Sequence, residues 1–281
     1  MATDLSRELD VARAVALEAA GVVASFHGRP LGVEHKAGGE PVSLADIASN
    51  NLIVARLRQE FPRDAILSEE LPDNPERLTT SRVWMIDPID GTRDFVRGEP
   101  GYVVMLGLVI EGRPRVGAVV QPSTRTIWSG AVGMGAWKET PTAKRTPIRV
   151  ATSDPTRIRL VSSKSHRTEY YERFAQALGG RIDEMRLGSV GLKVALIAEG
   201  SRDLYAYPGG QTKIWDSCAP EAILTAAGGR LTDSDGKELC YTDLALLNSR
   251  GIVASNGPVH DRALAAIAGL RAEINANRAR G

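Results

Sequence analysis

Two aspartates three residues apart, Asp87 and Asp90, follow the apolar run Val83-Trp84-Met85-Ile86, and Gly91-Thr92 comes straight after them. A buried strand that ends in this much negative charge needs something positive to hold it. Asp46, the pair Glu69-Glu70 after Ala65-Ile66-Leu67, and Asp216 in Trp215-Asp216 complete a set of acidic groups placed at the ends of predicted elements. Strand-to-loop junctions project side chains from a sheet edge into a shared cleft, so Glu69, Asp87, Asp90 and Asp216 can surround one point. Carboxylates gathered that closely must either rise in pKa or bind cations. Oxygen ligands without histidine or cysteine suit Mg²⁺, or Mn²⁺ as a substitute, rather than zinc. Gly91 permits a close backbone approach, and the N–H groups of a helix starting there can cradle a phosphate.

Each acid taken singly has a plainer reading. Asp46 follows Ser43 in an S-x-x-D pattern and can serve only as part of a helix cap. Asp216 can cap a helix starting near Ser217. Asp87-Pro88 can be a turn, and Glu69-Glu70 can be solvated surface. The joint pattern is what favours metal chemistry.

The positioning elements follow from periodicity. Apolar residues at helical spacing predict a helix from about Asp4 to Phe26, ended by Gly28 and Pro30, and a second from Leu44 to Phe61 with Ser43 as N-cap. An extended piece from Leu31 to Lys36 lies between them. Residues 65–67 and 83–86 read as buried strands, and Tyr102–Ile110, Arg115–Val120 and Thr126–Val132 as an antiparallel meander. The second half alternates: strands at 159–162, 181–187, 203–207 and 252–255, and helices at 169–178, 189–199, 215–227 and 259–274. Glu139-Thr140-Pro141-Thr142-Ala143-Lys144 reads as a loop between two lobes. Residues 1–140 are thus expected to form an α+β lobe with most of the acids, and residues 141–281 an α/β lobe carrying Asp216.

Lysine plus arginine (35) nearly balances aspartate plus glutamate (34), and the net charge of +1 gives no basic field for nucleic acid or an anionic membrane. Cys218 and Cys240 suit two reduced, packed thiols rather than a disulfide or zinc framework. No signal-peptide pattern opens the sequence, and no apolar run reaches the ~20 residues a membrane span needs, so a cytoplasmic protein is expected. Gly133-x-Gly135 lies in the meander and opens no helix, which excludes a dinucleotide fingerprint, and no G-x-x-x-x-G-K-[ST] loop occurs.

The sequence resembles the inositol monophosphatase superfamily of Mg²⁺-dependent, lithium-sensitive phosphatases. The resemblance rests on Lys36…Pro41-Val42-Ser43-x-x-Asp46, Ser68-Glu69-Glu70, Asp87-Pro88-Ile89-Asp90-Gly91-Thr92-Arg93-Asp94-Phe95 and Trp215-Asp216-x-x-Ala219-Pro220-Glu221, in family order over most of the chain. It implies a layered α-β-α-β-α sandwich. It also implies roles: Glu69, Asp87 and the Ile89 carbonyl on a first metal; Asp87, Asp90 and Asp216 on a second; and Glu69 with water on a looser third. Asp46 would pair with the Thr92 hydroxyl to help deprotonate the attacking water, with Glu70 supporting it, and Gly91 and Thr92 would bind phosphate through backbone N–H groups. Two to three Mg²⁺ ions are implied, with Li⁺ and Ca²⁺ as inhibitors. A homodimer is common in the family, but no sequence feature fixes an interface.

The substrate expected is a small phosphate ester. Family members that cleave inositol monophosphates carry a glutamate where this chain has Gly209. Ser163-Lys164-Ser165-His166, the lysine-containing Lys213-Ile214-Trp215-Asp216 segment and Asp94 resemble the 3′(2′),5′-bisphosphate nucleotidase branch. Lys213 and His166 can hold a second phosphate, and Gly209 and Gly210 can admit a base or sugar. Ser165 belongs to the same loop, while Ser189 and Lys193 at a helix start can face the cleft or the core. Inositol monophosphate, histidinol phosphate and a sugar bisphosphate remain alternative substrates. An inactive metal- or nucleotide-binding protein is the alternative of another class, set against it by the presence of every expected carboxylate and of Thr92.

Overall fold

The computed structural model describes residues 4–35, 41–152, 154, 156–164, 169–209 and 211–278. Helices α1 (Ser6–Ser25) and α2 (Leu44–Glu60) form the first layer. Alanines and leucines at helical spacing, among them Leu9, Ala12, Ala16 and Ala19, bury the inner face of α1. The short pair β1 (Glu34–His35) and β2 (Pro41–Val42) leads into α2.

The second layer is a seven-stranded sheet in sequential order: β3 (Ala65–Ser68), β4 (Arg82–Asp90), β5 (Val103–Ile110), β6 (Arg113–Gln121), β7 (Thr126–Ala131), β8 (Gly135–Thr140) and β9 (Ala143–Ile148). Only the β3–β4 pair is parallel. The two-residue alternation sends Trp84, Ile86, Val104 and Leu106 toward α1 and α2, and Val83, Met85, Val103 and Met105 to the opposite face. Both faces are covered, so these strands read as unbroken apolar runs.

That opposite face meets α5 (Val190–Ala198) and α6 (Ile214–Ala226), which pack in turn against a second sheet. Its order is β11 (Arg181–Leu187), β10 (Arg157–Ser163), β12 (Leu204–Tyr207), β14 (Ile252–Ser255), β13 (Arg230–Thr232). Helices α4 (Glu169–Leu178) and α7 (His260–Arg278) close its outer face over Leu160, Leu204 and Val253. The chain is therefore the expected α-β-α-β-α sandwich. No helix among the described residues is long and apolar enough to cross a membrane.

A row of glycines sets how near α6 comes. Gly107, Gly117 and Gly130 pair side by side across β5, β6 and β7. A Cβ on Gly107 would sit 2.5 Å from Cys218 Sγ and 2.7 Å from Ala219 N, and one on Gly117 would overlap the Ala219 carbonyl oxygen. The sheet thus presents a furrow into which the α6 backbone sinks.

Several expectations are corrected. Strand β4 continues through Asp87 and Asp90 instead of stopping at Ile86, with a register irregularity between the two acids. The loop expected between lobes at 139–144 is the turn of the β8–β9 hairpin, which extends the first sheet. Strand β13 was not predicted, and α6 starts at Ile214, so Asp216 lies inside its first turn and is not its N-cap. Cys218 is buried as expected, but Cys240 is exposed.

His260 illustrates a purely structural histidine. Thr232 spends its hydroxyl proton on the Asp233 carbonyl at 2.7 Å, so its oxygen accepts from His260 Nε2–H at 2.9 Å, and Nδ1 then accepts from Ser255 Oγ–H at 2.8 Å. Burial pushes its pKa down from 6.5 to about 4. The folded state therefore favours the neutral ring, and its stabilisation is present above 6.5 and lost as pH falls toward 4. Replacement by glutamine is expected to flatten the pH dependence of the unfolding free energy over that interval, as read by urea denaturation at stepped pH.

Candidate active site

Asp46 sits at the third position of α2 and does two things. Its Oδ2 accepts from the Ser43 N–H at 2.8 Å and the Ser43 hydroxyl at 2.6 Å, completing the capping box, while Oδ1 lies 3.3 Å from Thr92 Oγ1. The cap and the Asp46–Thr92 pairing coexist. The Thr92 hydroxyl is also 3.0 Å from the Ile89 carbonyl, so that one proton is shared between two acceptors.

The end of β4 carries the other acids to the cleft. Asp87 is buried and accepts from the Ile89 N–H at 3.0 Å. Gly91 then turns with φ +96°, and a Cβ there would lie 2.8 Å from the Gly101 carbonyl oxygen, so only glycine fits before the short helix α3 (Thr92–Val96). Asp90 Oδ2 accepts from Ser189 Oγ at 2.5 Å and from the Gly191 N–H at 2.8 Å, at the start of α5. Asp216 accepts from the Lys213 N–H at 2.8 Å. Glu69 is fixed through its backbone, whose N–H donates to Ile86 at 3.2 Å.

Burial pushes the Asp87 carboxyl well above the ordinary carboxylate range, and the charges of Glu69, Asp90, Asp216 and Asp46 push it further the same way. Burial also raises Asp90, against the pull of Lys193 and of the Ser189 and Gly191 donors. Lys193 itself is buried, donates to the Gly188 and Ser189 carbonyls at 2.5 and 2.7 Å, and is pushed down to about 8 by burial. One lysine does not balance this charge. Among the described residues no three or more His, Cys, Asp or Glu side chains form a ready-made metal cage. The acids instead line the cleft, and their burial, repulsion and oxygen chemistry fit a hard divalent cation.

A cleft of about 330 Å³ joins Glu69, Asp87, Ile89, Asp90, Gly91, Thr92, Lys213 and Asp216. Asp46 and Ser189 stand one contact behind it, through Thr92 and Asp90. Glu70 and Gly209 are not among its lining residues. A Cβ on Gly209 would come within 3.1–3.2 Å of the Tyr207 ring end, so glycine here leaves that ring undisturbed. Ser165, His166, Gly210 and Lys36 lie outside the described residues.

Sequence reasoning missed Tyr205, Tyr207 and Gln211 in the lining. The alternation in Leu204-Tyr205-Ala206-Tyr207 puts both tyrosines on one face of β12, and this signal could have found them. Asp94, noted only as a branch feature, lines the cleft with its carboxylate in space kept free by Gly101 and Gly188.

The sequence profile of the inositol monophosphatase family matches residues 4–274. The 3′(2′),5′-bisphosphate nucleotidase CysQ of Escherichia coli is 37% identical over 217 residues, covering 76% of this chain and 85% of that protein. A histidinol-phosphatase of Mycobacterium tuberculosis is 34% identical over 230 residues, covering 80% and 83%. Among solved structures, an inositol monophosphatase from Anabaena superposes with a TM-score of 0.75 at 29% identity, covering 95% of this chain and 97% of that one.

Proposed function

Since this chain belongs to the inositol monophosphatase family, a generally Mg²⁺-dependent family, and is a phosphatase, we propose that it is a 3′(2′),5′-bisphosphate nucleotidase that converts adenosine 3′,5′-bisphosphate to AMP and phosphate. The observation that carries this reading is the mixed charge of the cleft lining: Glu69, Asp87, Asp90 and Asp216 share it with Lys213 and Lys193. A bisphosphate substrate places one phosphate at the acids through a cation and needs positive charge for the other. The similarity to CysQ supports the same substrate class.

Glu69, Asp87, the Ile89 carbonyl, Asp90 and Asp216 would hold two to three Mg²⁺ ions, which supply charge neutralisation and a water acidic enough to act near neutral pH. The protein does the rest. Gly91 and Thr92 present N–H groups to the phosphate oxygens. The Thr92 hydroxyl, held by Asp46, orients the attacking water and passes its proton toward the carboxylate, with Glu70 supporting from the side. Lys213 and His166 fix the remote phosphate, with Ser165 in the same loop, and Gly209 and Gly210 admit the base or sugar, so that the scissile bond lies in line with the water.

The test is phosphate release with Mg²⁺ from equal concentrations of adenosine 3′,5′-bisphosphate, inositol 1-phosphate and histidinol phosphate. The nucleotide is expected to be preferred by at least about tenfold in kcat/KM, and Lys213→Ala to raise KM for it about tenfold, the order of one lost charged contact. Inositol 1-phosphate turnover is expected to be indifferent to that substitution. A preference for histidinol phosphate would move the chain to the activity named for its mycobacterial relative.

A further inference from the structure

Helix α6 holds a proline at position 220, inside its span. Proline has no N–H, so the Asp216 carbonyl four residues earlier is denied its helical donor. The turn that carries Asp216 therefore lacks one of the bonds that would tie it to the helix behind it. Other bonds hold it. Ile214 N–H donates to the Leu246 carbonyl at 2.9 Å, and Asn248 N–H to the Thr212 carbonyl at 2.8 Å. The Asn248 side-chain amide lies 2.9 Å from the Lys213 carbonyl and 3.2 Å from both Thr212 Oγ1 and Ser217 Oγ. Tyr241 donates to Glu221 Oε2 at 2.7 Å and lies 3.2 Å from Ser217 Oγ, and Arg113 anchors Glu221 Oε1 at 2.6 Å. A buried chain of polar contacts thus runs from β6 through the body of α6 to the residue before it.

Asn248 and Tyr241 are buried, and neither lines the cleft. Resting on the metal-holding role read above for Asp216, we propose that Asn248 and Tyr241 are positioning residues that clamp the Asp216 turn in place of the helical bond Pro220 removes. Partners that orient a ligand from behind commonly govern metal affinity by 10–100-fold, which sets the size of the effect.

The experiment uses the full chain and Mn²⁺ as a probe, with affinity read by titration calorimetry and folding by circular dichroism and Tm. Asn248→Ala is expected to bind Mn²⁺ at least about tenfold more weakly. The double variant Pro220→Ala/Asn248→Ala, which regains the helical donor, is expected to recover part of that loss; mere filling of a polar gap predicts no such recovery. If Asn248→Ala does not fold, Tyr241→Phe, which keeps the ring, decides with a smaller loss in the same direction. Wild-type affinity in whichever folded variant is read overturns the inference alone. Failure of the wild-type chain itself to bind Mn²⁺ overturns the functional reading and the inference with it.

Discussion

Asp87→Asn is expected to lose turnover by about 10³-fold or more, the scale on which removal of one charge-stabilising group acts, and to melt no lower than the wild type when Mg²⁺ is absent. The second half of this expectation separates it from simple damage. The Asp87 carboxyl is raised by burial and by four neighbouring acids, so its ionised form is disfavoured in the folded state. Folded-state stability from a raised acid is full below the ordinary carboxylate range and falls as pH climbs through the raised value. Asparagine keeps the size, keeps an oxygen for the Ile89 N–H, and removes the repelled charge. Melting curves with and without Mg²⁺ check it: the wild type gains stability from the ion and the variant gains little. Asp90→Asn shares the loss of turnover, but it also takes a charge from Lys193. A variant of Asp87 that turns over normally would remove that residue from the metal site.

Gly117→Val is expected to destabilise the fold by about 3 kcal/mol or more, at or beyond the upper end for overpacking a core. A Cβ at this position overlaps the Ala219 carbonyl oxygen and approaches Ala219 C and Ile223 Cγ1 at 3.0 Å. Two of these three atoms are backbone, so no side-chain rotation relieves them. Denaturant unfolding is the measurement, and a loss below 1 kcal/mol would mean that α6 can lift from the sheet. Any variant that folds is expected to require more Mg²⁺ for half-maximal activity, because Asp216 rides on the same helix.

The acids that line the cleft were more legible in the sequence than their surroundings. Carboxylates declare themselves by type, and the capping pattern at Ser43–Asp46, the Gly91 turn and the strand before Asp87 are local signals. The β8–β9 hairpin was hidden by its edge position. Strand β9, Ala143-Lys144-Arg145-Thr146-Pro147-Ile148, is charged, largely exposed and contains a proline, features that protect an edge and imitate a loop. Its hold on the sheet includes Arg145 stacked 3.9 Å above the Trp137 ring, a contact no spacing rule reveals. Strand β13 has three residues, too few for a period. The helix of residues 215–227 was legible to within a residue at its start, but whether Asp216 caps it was not: Ile214 N–H pairs with the Leu246 carbonyl, and Asp216 falls inside the first turn. Tyr205, Tyr207 and Gln211 join the cleft only once β12 is set beside the end of β4.

Helix α6 belongs to the second half of the sequence, yet its backbone is sunk into the first sheet along the glycine furrow, while its other contacts reach β13. The element that carries Asp216 therefore ties the two sheets together. Capture and release of substrate are then expected to depend little on one sheet rotating against the other. They are expected to depend on side chains that line the cleft, such as Lys213 and Tyr207, through rotamer changes rather than rigid-body rotation.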